Sequence, residues 1–416
     1  MFAAEENLGI VLDIGNHTTK AGYAGDAVPK AIVPSYVGII ENPNQMDLES
    51  KDILTGDRIN KYQDYMKIEQ LFAEGRDKYE KIEQICKEAL EKSLKITQQT
   101  HPILLSEPSI HDKEFRSALT EIMFEKLQLP AIFIVKNAAL SSFASGRTTS
   151  LILDSGAYST SAVPIQDGYV LQKSITQCNI GGEMFTDMLL STLKSNGVYI
   201  RPHYTFNKDI KSIEDGEIGS TDFAIEEVLN IDVNPSFQEH SIKEVVRNIK
   251  EATFKVSDIT FPETSYTGIQ PQNYDLPDGT QIQVGTERYR IPEMLFVQGA
   301  EGVAGVAGFS GVHQMVCDAI NKCDAEIRRE LYGNLIVTGG NSLIGGFPDR
   351  LYKKISEINA QSMKIRIIAP QNPNDRKFSA WIGGSILASL GSFSQMWISK
   401  QDYDENGANI VERKCP

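Results

Sequence analysis

Cysteine is scarce in this 416-residue chain. The five present, Cys86, Cys178, Cys317, Cys323 and Cys415, are odd in number and nowhere spaced as C-x-x-C. That excludes a disulfide framework and a thiolate metal knuckle, and predicts free thiols in a reducing compartment. Positive charge is short as well: Lys plus Arg total 41 against 55 for Asp plus Glu, a net charge of −14. Such a surface repels phosphate backbones, so direct DNA binding through bulk charge is not expected. The six histidines fall in no metal-ligand spacing and form no Ser-His-Asp arrangement. No apolar run approaches the roughly eighteen residues of a membrane span. The opening MFAAEENLGI lacks a basic start followed by an apolar stretch, and no basic cluster resembles a nuclear import signal. The expectation is a soluble, non-secreted protein without membrane contact, whose entry into a nucleus would need a partner.

What is present is an ordinary globular balance, 41% hydrophobic and 23% charged, over a length that predicts two domains around a cleft. The organising feature is a repeat. IVLDIGNHTT from Ile10 to Thr19 recurs 141 residues later as LILDSGAYST from Leu151 to Thr160. Each reads as a buried strand that delivers an Asp into a tight turn and continues into a second strand. A single Asp-x-Gly is a plain hairpin turn. Two matching copies can face each other and grip one polyphosphate, the turn amides on phosphate oxygens and Asp13 and Asp154 holding Mg²⁺ through its waters. A third element, LIVTGGNS from Leu335 to Ser342, is a strand running into Gly339-Gly340, where missing side chains would let backbone approach a base or sugar.

Elsewhere strands and helices alternate. Ile82, Ile85, Cys86, Ala89, Leu90 and Leu94 share one face at helical spacing, predicting a core-facing helix over 79–94. Similar patterning predicts helices over 112–127 and 242–256. Between Asn207 and His240 acidic residues dominate, which predicts a solvated surface insertion.

Long strings then resemble actin in order along nearly the whole chain: KAGYAGD from Lys20, FASGRTT from Phe143, VRNIKE from Val246, YDLPDG from Tyr274, MKIRIIAP from Met363 and WIGGSILASL from Trp381. Within that superfamily, SEP from Ser106, DGYVLQ from Asp167, LILDSGA from Leu151 and the ending VERKCP resemble the nuclear actin-related protein 4 (actin-like protein 6) family more closely. The resemblance implies an α/β actin-like ATPase fold, two duplicated α/β domains with ATP and Mg²⁺ in the cleft. The first domain would span 1–144 plus 379–416, with 33–69 as its smaller part. The second would span 145–378, with 181–307 as its smaller part and the acidic insertion at about 207–240.

Carried over residue by residue, the first phosphate loop is Asp13, Gly15, Asn16, His17 and Lys20, with Asn16 and His17 where actin has Ser and Gly. A side chain at 17 is expected to crowd that turn. The second loop is Asp154, Ser155 and Gly156. Contacts to base and sugar map to Gly182, Arg247, Lys250, Glu251, Gly339, Gly340 and Asn341.

Three water-handling positions are degenerate. Asn137 and Ser161 replace a Gln and a His, and Ala157 replaces an Asp. Asn is one methylene shorter than Gln, a displacement of about 1.5 Å that can slow a reaction on the order of 10²-fold. Hydrolysis is therefore expected to be slow or absent. The filament surfaces at 38–65 and 296–312 have also lost their actin character.

The family implies a nuclear ATP-binding scaffold subunit of chromatin-remodelling or histone acetyltransferase complexes. Its partners would be nuclear actin and a helicase-SANT-associated helix of a remodeller, with histones as a further candidate. The docking groove maps to Phe143, Gly146, Thr148, Leu387 and Leu390. Two other readings compete. A polymerising cytoskeletal ATPase needs a Gln at 137, and a sugar or acetate kinase needs a catalytic carboxylate with a substrate pocket.

Overall fold

The computed structural model describes residues 8–41, 52–73, 77–96, 100–110, 112–210, 223–227, 232–258, 269–297 and 309–415. The loop at 42–51, the insertion segments 211–222 and 228–231, and most of 296–312 lie outside the described residues, and with them the expectations placed there.

Both halves of the repeat form antiparallel hairpins, each at the centre of a sheet. In the first lobe β1 (Ile10–Ile14) pairs with β2 (Thr18–Tyr23), which pairs with β3 (Ala31–Pro34). On its other side β1 runs parallel to β7 (Ile103–Glu107), followed by β8 (Ala131–Lys136) and the edge strand β19 (Ile398–Ser399). In the second lobe β9 (Ser150–Ser155) pairs with β10 (Thr160–Gln166), which carries β11 (Tyr169–Val170) and β12 (Thr176–Cys178). There β9 runs parallel to β17 (Leu335–Thr338), and β18 (Ile367–Ile368) follows. One sheet topology thus occurs twice, each with its hairpin strand beside a parallel neighbour.

A smaller sheet, β4 (Tyr36–Ile40), β5 (Asp52–Leu54) and β6 (Met66–Gln70), extends the first lobe. Two further hairpins, β13 (Phe206–Ile210) with β14 (Phe223–Glu227) and β15 (Gln272–Asp275) with β16 (Gln281–Val284), extend the second.

The helical expectations hold with informative differences. Helix α1 (Lys78–Lys87) continues into a wider-wound π segment at Glu88–Ser93, burying Ile82, Ile85, Cys86, Ala89 and Leu90. Helix α2 (Lys113–Glu121) is capped by Asp112, whose carboxylate accepts the Phe115 amide at 3.0 Å. The helix expected from Ile242 begins earlier. Asn234 caps the Ser236 amide at 3.0 Å and Pro235 takes the first position, so its range is Pro235–Thr253.

Helix α3 (Asn137–Ala144) leads from the first lobe to the second, and the Ser379–Ser389 helix belongs to the return. The two cross so closely that a Cβ on Gly383 would lie 1.8 Å from the Leu140 carbonyl oxygen. Only glycine fits there. Beside this crossing Trp381 is fully buried and donates its indole N–H to Val11 O at 3.1 Å. The first lobe also buries charge: Glu107 pairs with Lys136 at 2.8 Å and Arg116 at 3.1 Å, while Arg116 donates to the Cys415 carbonyl at 2.5 Å. All five cysteines are free and buried, and burial pushes the Cys415 thiol up to about 11 and Cys86 to about 12. Among the described residues no helix is long and apolar enough to cross a membrane.

Candidate functional site

The two hairpin tips open onto one cleft between the lobes, with a volume of about 700 Å³. That is within the range of pockets that enclose a small molecule. In the first hairpin the strand register sets Asp13 opposite Lys20, and their side chains pair at 3.1 Å. In the second the same register sets Asp154 opposite Ser161, which offers no charge. The Asp154 carboxyl is pushed up to about 6, first by burial and then by the carboxylate of Asp13, with Lys20 pulling the other way. Two carboxylates facing one space could be balanced by a hydrated divalent cation. Among the described residues no group of three or more ligating side chains forms an alternative metal site.

The second loop is held by its own surroundings. Gly156 donates to Ser159 O at 3.0 Å to close the turn. Its neighbours dock on the start of α4 (Gly182–Ser195), where the Gly182 and Glu183 amides donate to Gly156 O at 3.0 Å and Ala157 O at 2.8 Å. A Cβ at Gly181 would meet Ala157 O at 2.4 Å, which explains the Gly-Gly there. Asn341 donates from Nδ2 to Gly156 O at 2.8 Å and Ser155 Oγ at 3.1 Å. Its amide therefore orients the turn of the second hairpin as well as lining the cleft. The Ser155 side chain is fully buried against Thr160 and does not face the cleft.

Gly339 also has a different job from the one its sequence implied. It adopts φ +88°, and a Cβ there would collide with Ser155 O at 2.3 Å and Asp154 Oδ1 at 2.5 Å. The missing side chain admits the second hairpin, whereas Gly340 has nothing within 4 Å and opens on the cleft.

Cations converge on the same space. Lys250 donates to Gly182 O at 2.8 Å and Thr186 Oγ1 at 3.0 Å; burial first and Arg247 next push its ammonium down to about 8. Arg247 is held by Glu183 at 2.6 Å and by Glu244. Glu251 lines the cleft from the following position on the helix. His17 feels Arg247, Lys250, Lys20 and Lys377; together with burial, which is the larger cause, they drive its imidazole down to about 3. The crowding expected at 17 is avoided because the ring packs edge-on against Tyr36, with centroids 6.2 Å apart. Asn16 beside it is exposed. A cationic wall and a carboxylate pair in one cavity could hold a polyphosphate together with a divalent cation.

The degenerate positions line this cleft too. Asn137 accepts a hydrogen bond from Ser109 Oγ at 2.5 Å, which ties its carbonyl to the wall. Ala157 offers a methyl group and Ser161 a hydroxyl. Sequence reasoning passed over Leu343, Ile344, Lys255 and Lys377, all of which line the cleft. The first two follow Gly340-Asn341 directly, so extending the third element by two residues would have found them. Lys377 carries no local signal.

Of the residues expected to form a docking groove, Phe143 is half-buried, Gly146 is exposed at φ +63°, and Thr148 is exposed. Leu387 packs against the first-lobe core, while Leu390 is 44% exposed. Ile386 and Met396, which sequence reasoning omitted, are also exposed.

A family model described as Actin matches residues 4–416. Over the full length of both chains, this protein is 37% identical to actin-related protein 4 of Oryza sativa, in subspecies indica and japonica, and to actin-related protein 4 of Arabidopsis thaliana.

Proposed function

Because the chain belongs to the actin family, we propose that it holds Mg²⁺-ATP in the interlobe cleft as a structural cofactor, with hydrolysis slow or absent. On this reading it serves as a scaffold subunit of a nuclear chromatin-remodelling or histone acetyltransferase assembly. The observation that supports the first part is the gathering of charged side chains in the cleft beside altered water-handling positions. Asp13 and Asp154 would take a cation, and Lys20, Arg247 and Lys250, each now held by protein partners, would turn to anionic oxygens, while the Asn137 carbonyl is tied to Ser109 and Ser161 cannot relay a proton as imidazole does.

Asp13 and Asp154 would hold Mg²⁺ through water, and the turns at 15–17 and 155–157 would present amides to phosphate oxygens. Gly340, Leu343 and Ile344 would face the base, with Glu251 near the sugar. Bound nucleotide supplies negative charge that relieves the repulsion among the cleft cations, together with a cation that relieves Asp13 and Asp154. The protein's own residues position and retain. Asn137, Ala157 and Ser161 supply no equivalent of the Gln, Asp and His that the resemblance places at these positions.

The assembly part extends the printed name of the relatives to this chain and rests on the exposed apolar residues beside the interlobe crossing. An amphipathic helix from a helicase-SANT-associated segment would lay its apolar face over Phe143, Leu390 and Ile386, next to a bound actin. Histones are a further candidate partner.

Phosphate release by the pure protein in Mg²⁺-ATP is expected to stay at background, and Mg²⁺-ATP is expected to raise the melting temperature. Actin-like turnover, or an unchanged melt, overturns the cofactor reading. Phe143→Ala and Leu390→Asp are expected each to lower capture of the remodeller helix by about 2 kcal/mol. Full capture of helix and actin by variants that melt normally overturns the docking reading.

A further inference from the structure

A second cavity, of about 390 Å³, opens beside the second hairpin tip, where Tyr158 meets one face of α4. Met184, Asp187 and Met188 line it at the spacing of a single helical face, and Glu183 adds a carboxylate. Phe185, Leu189 and Leu193 on the opposite face of α4 enter the core, which fixes the helix and the cavity wall with it. The Tyr158 ring is held by its hydroxyl, 3.4 Å from that of Tyr36. Such a volume is enough for a small molecule, and a lone lysine side chain would leave most of it empty.

Two thioethers and an aromatic ring make an apolar bed that also tolerates a cation against its face. Charge around the two carboxylates is unbalanced. Asp187 pairs with Lys243 at 2.8 Å through Oδ1 and Glu183 with Arg247 at 2.6 Å through Oε1, so each keeps a second oxygen for another donor. Lys243 is shared with Glu239 at 2.9 Å, and Arg247 with Glu244. Four carboxylates thus hold two cations, an excess of two negative charges, and Lys250 further along the same helix is offset by Glu251. That excess repels an anion. A purely apolar ligand would strip Glu183 and Asp187 of water without return. A bare metal ion lacks ligands, since only two carboxylates face the cavity and no group of three ligating side chains forms among the described residues.

We propose that this cavity binds a linear aliphatic diamine or polyamine, its methylene chain lying on Met184, Met188 and the Tyr158 ring and two of its ammonium groups reaching Glu183 and Asp187. Residues four apart on a helix stand about 5–6 Å from each other at Cβ, and ammonium groups four methylenes apart span a similar distance. The two positive charges match the local excess of negative ones, so each ammonium gains a charge-assisted hydrogen bond in a partly enclosed site. The site stands whether or not the interlobe cleft holds a nucleotide.

The test is isothermal titration calorimetry of the full-length protein with spermidine, in excess Mg²⁺ so that general counterion binding is already satisfied. One saturable site is expected. Butylamine, which keeps the stem and loses the second ammonium, is expected to bind at least about tenfold more weakly. Asp187→Asn, at an exposed position, is expected to weaken spermidine about tenfold. Met188→Lys, which puts an ammonium inside the cavity, is expected to abolish binding; should it fail to fold, Asp187→Asn carries the test alone. Glu326→Gln, a surface carboxylate outside the cavity, is expected to change nothing. Binding that is absent, or weakened equally by Asp187→Asn and Glu326→Gln, overturns the site. Butylamine that binds as tightly as spermidine overturns the pairing with two ammonium groups. A lysine-rich peptide that binds more tightly than spermidine and loses affinity in Asp187→Asn gives the cavity to a partner's lysine side chain and overturns the polyamine.

Discussion

The two hairpin tips share a register, a turn and an aspartate, and they differ in what stands across the strand. Asp13 faces Lys20 and is neutralised within its own hairpin. Asp154 faces Ser161 and is not. Duplication thus set the position of both carboxylates, while one residue on the neighbouring strand decides whether each has a charge partner within its own hairpin. The first hairpin balances its own charge; the second does not.

The largest change should come from breaking the satisfied side. Asp13→Asn leaves the Lys20 ammonium, 11% exposed, without its partner, and stability should fall by roughly 3 kcal/mol in a denaturant titration. A midpoint equal to that of the unaltered protein would show that the pair is not what distinguishes the first hairpin.

Restoring polar chemistry on the second hairpin and its neighbour comes next. Ser161→His with Asn137→Gln is expected to raise phosphate release on the order of 10²-fold above the unaltered chain. If release stays at background, the third position, Ala157, limits the reaction instead.

Asp154→Asn should then move stability in the direction opposite to Asp13→Asn. The folded value of Asp154, about 6, lies above the ordinary carboxylate value, so between roughly pH 4 and 6 the folded protein holds a proton that the unfolded chain has released. Nucleotide-free stability therefore falls as pH rises through that window and stays lower above it. Asp154→Asn should remove this slope and raise stability at pH 7 by about 1–3 kcal/mol, the lower end applying because the side chain is only half-buried. It should also weaken the stabilisation by Mg²⁺-ATP. A pH profile that keeps its slope in the variant would assign the effect to another group.

The smallest shift is expected at His17. Its imidazole is held down to about 3 by burial and four nearby cations, so bound polyphosphate should raise its titration midpoint by about one unit, read by NMR. No movement would mean that the phosphates lie elsewhere than between the two tips.

The repeat was legible because a period-2 strand ending in Asp-x-Gly carries its own geometry, and the register followed from it. Helix α2 was legible for the same local reason, with Asp112 as a readable cap. Facing directions were harder. Ser155 turns inward because alternation along β9 points it away from the cleft, Leu387 turns into the core while Ile386 before it turns out, and Gly339 accommodates a hairpin some 180 residues distant in sequence. The packing of Phe237 against the β4–β6 sheet could not be read at all. Tyr36 and Phe237 belong to segments whose meeting depends on both lobes being folded, and nothing local in either segment records it.

The crossing of α3 with the Ser379–Ser389 helix, backbone against backbone at Gly383, has a mechanical meaning. With no side chain between them to shear or compress, the two helices lock together over their backbones, so a displacement of either is passed directly to the other. A side chain added at Gly383 would therefore be felt in both lobes at once, because it would force apart two of the segments that connect them.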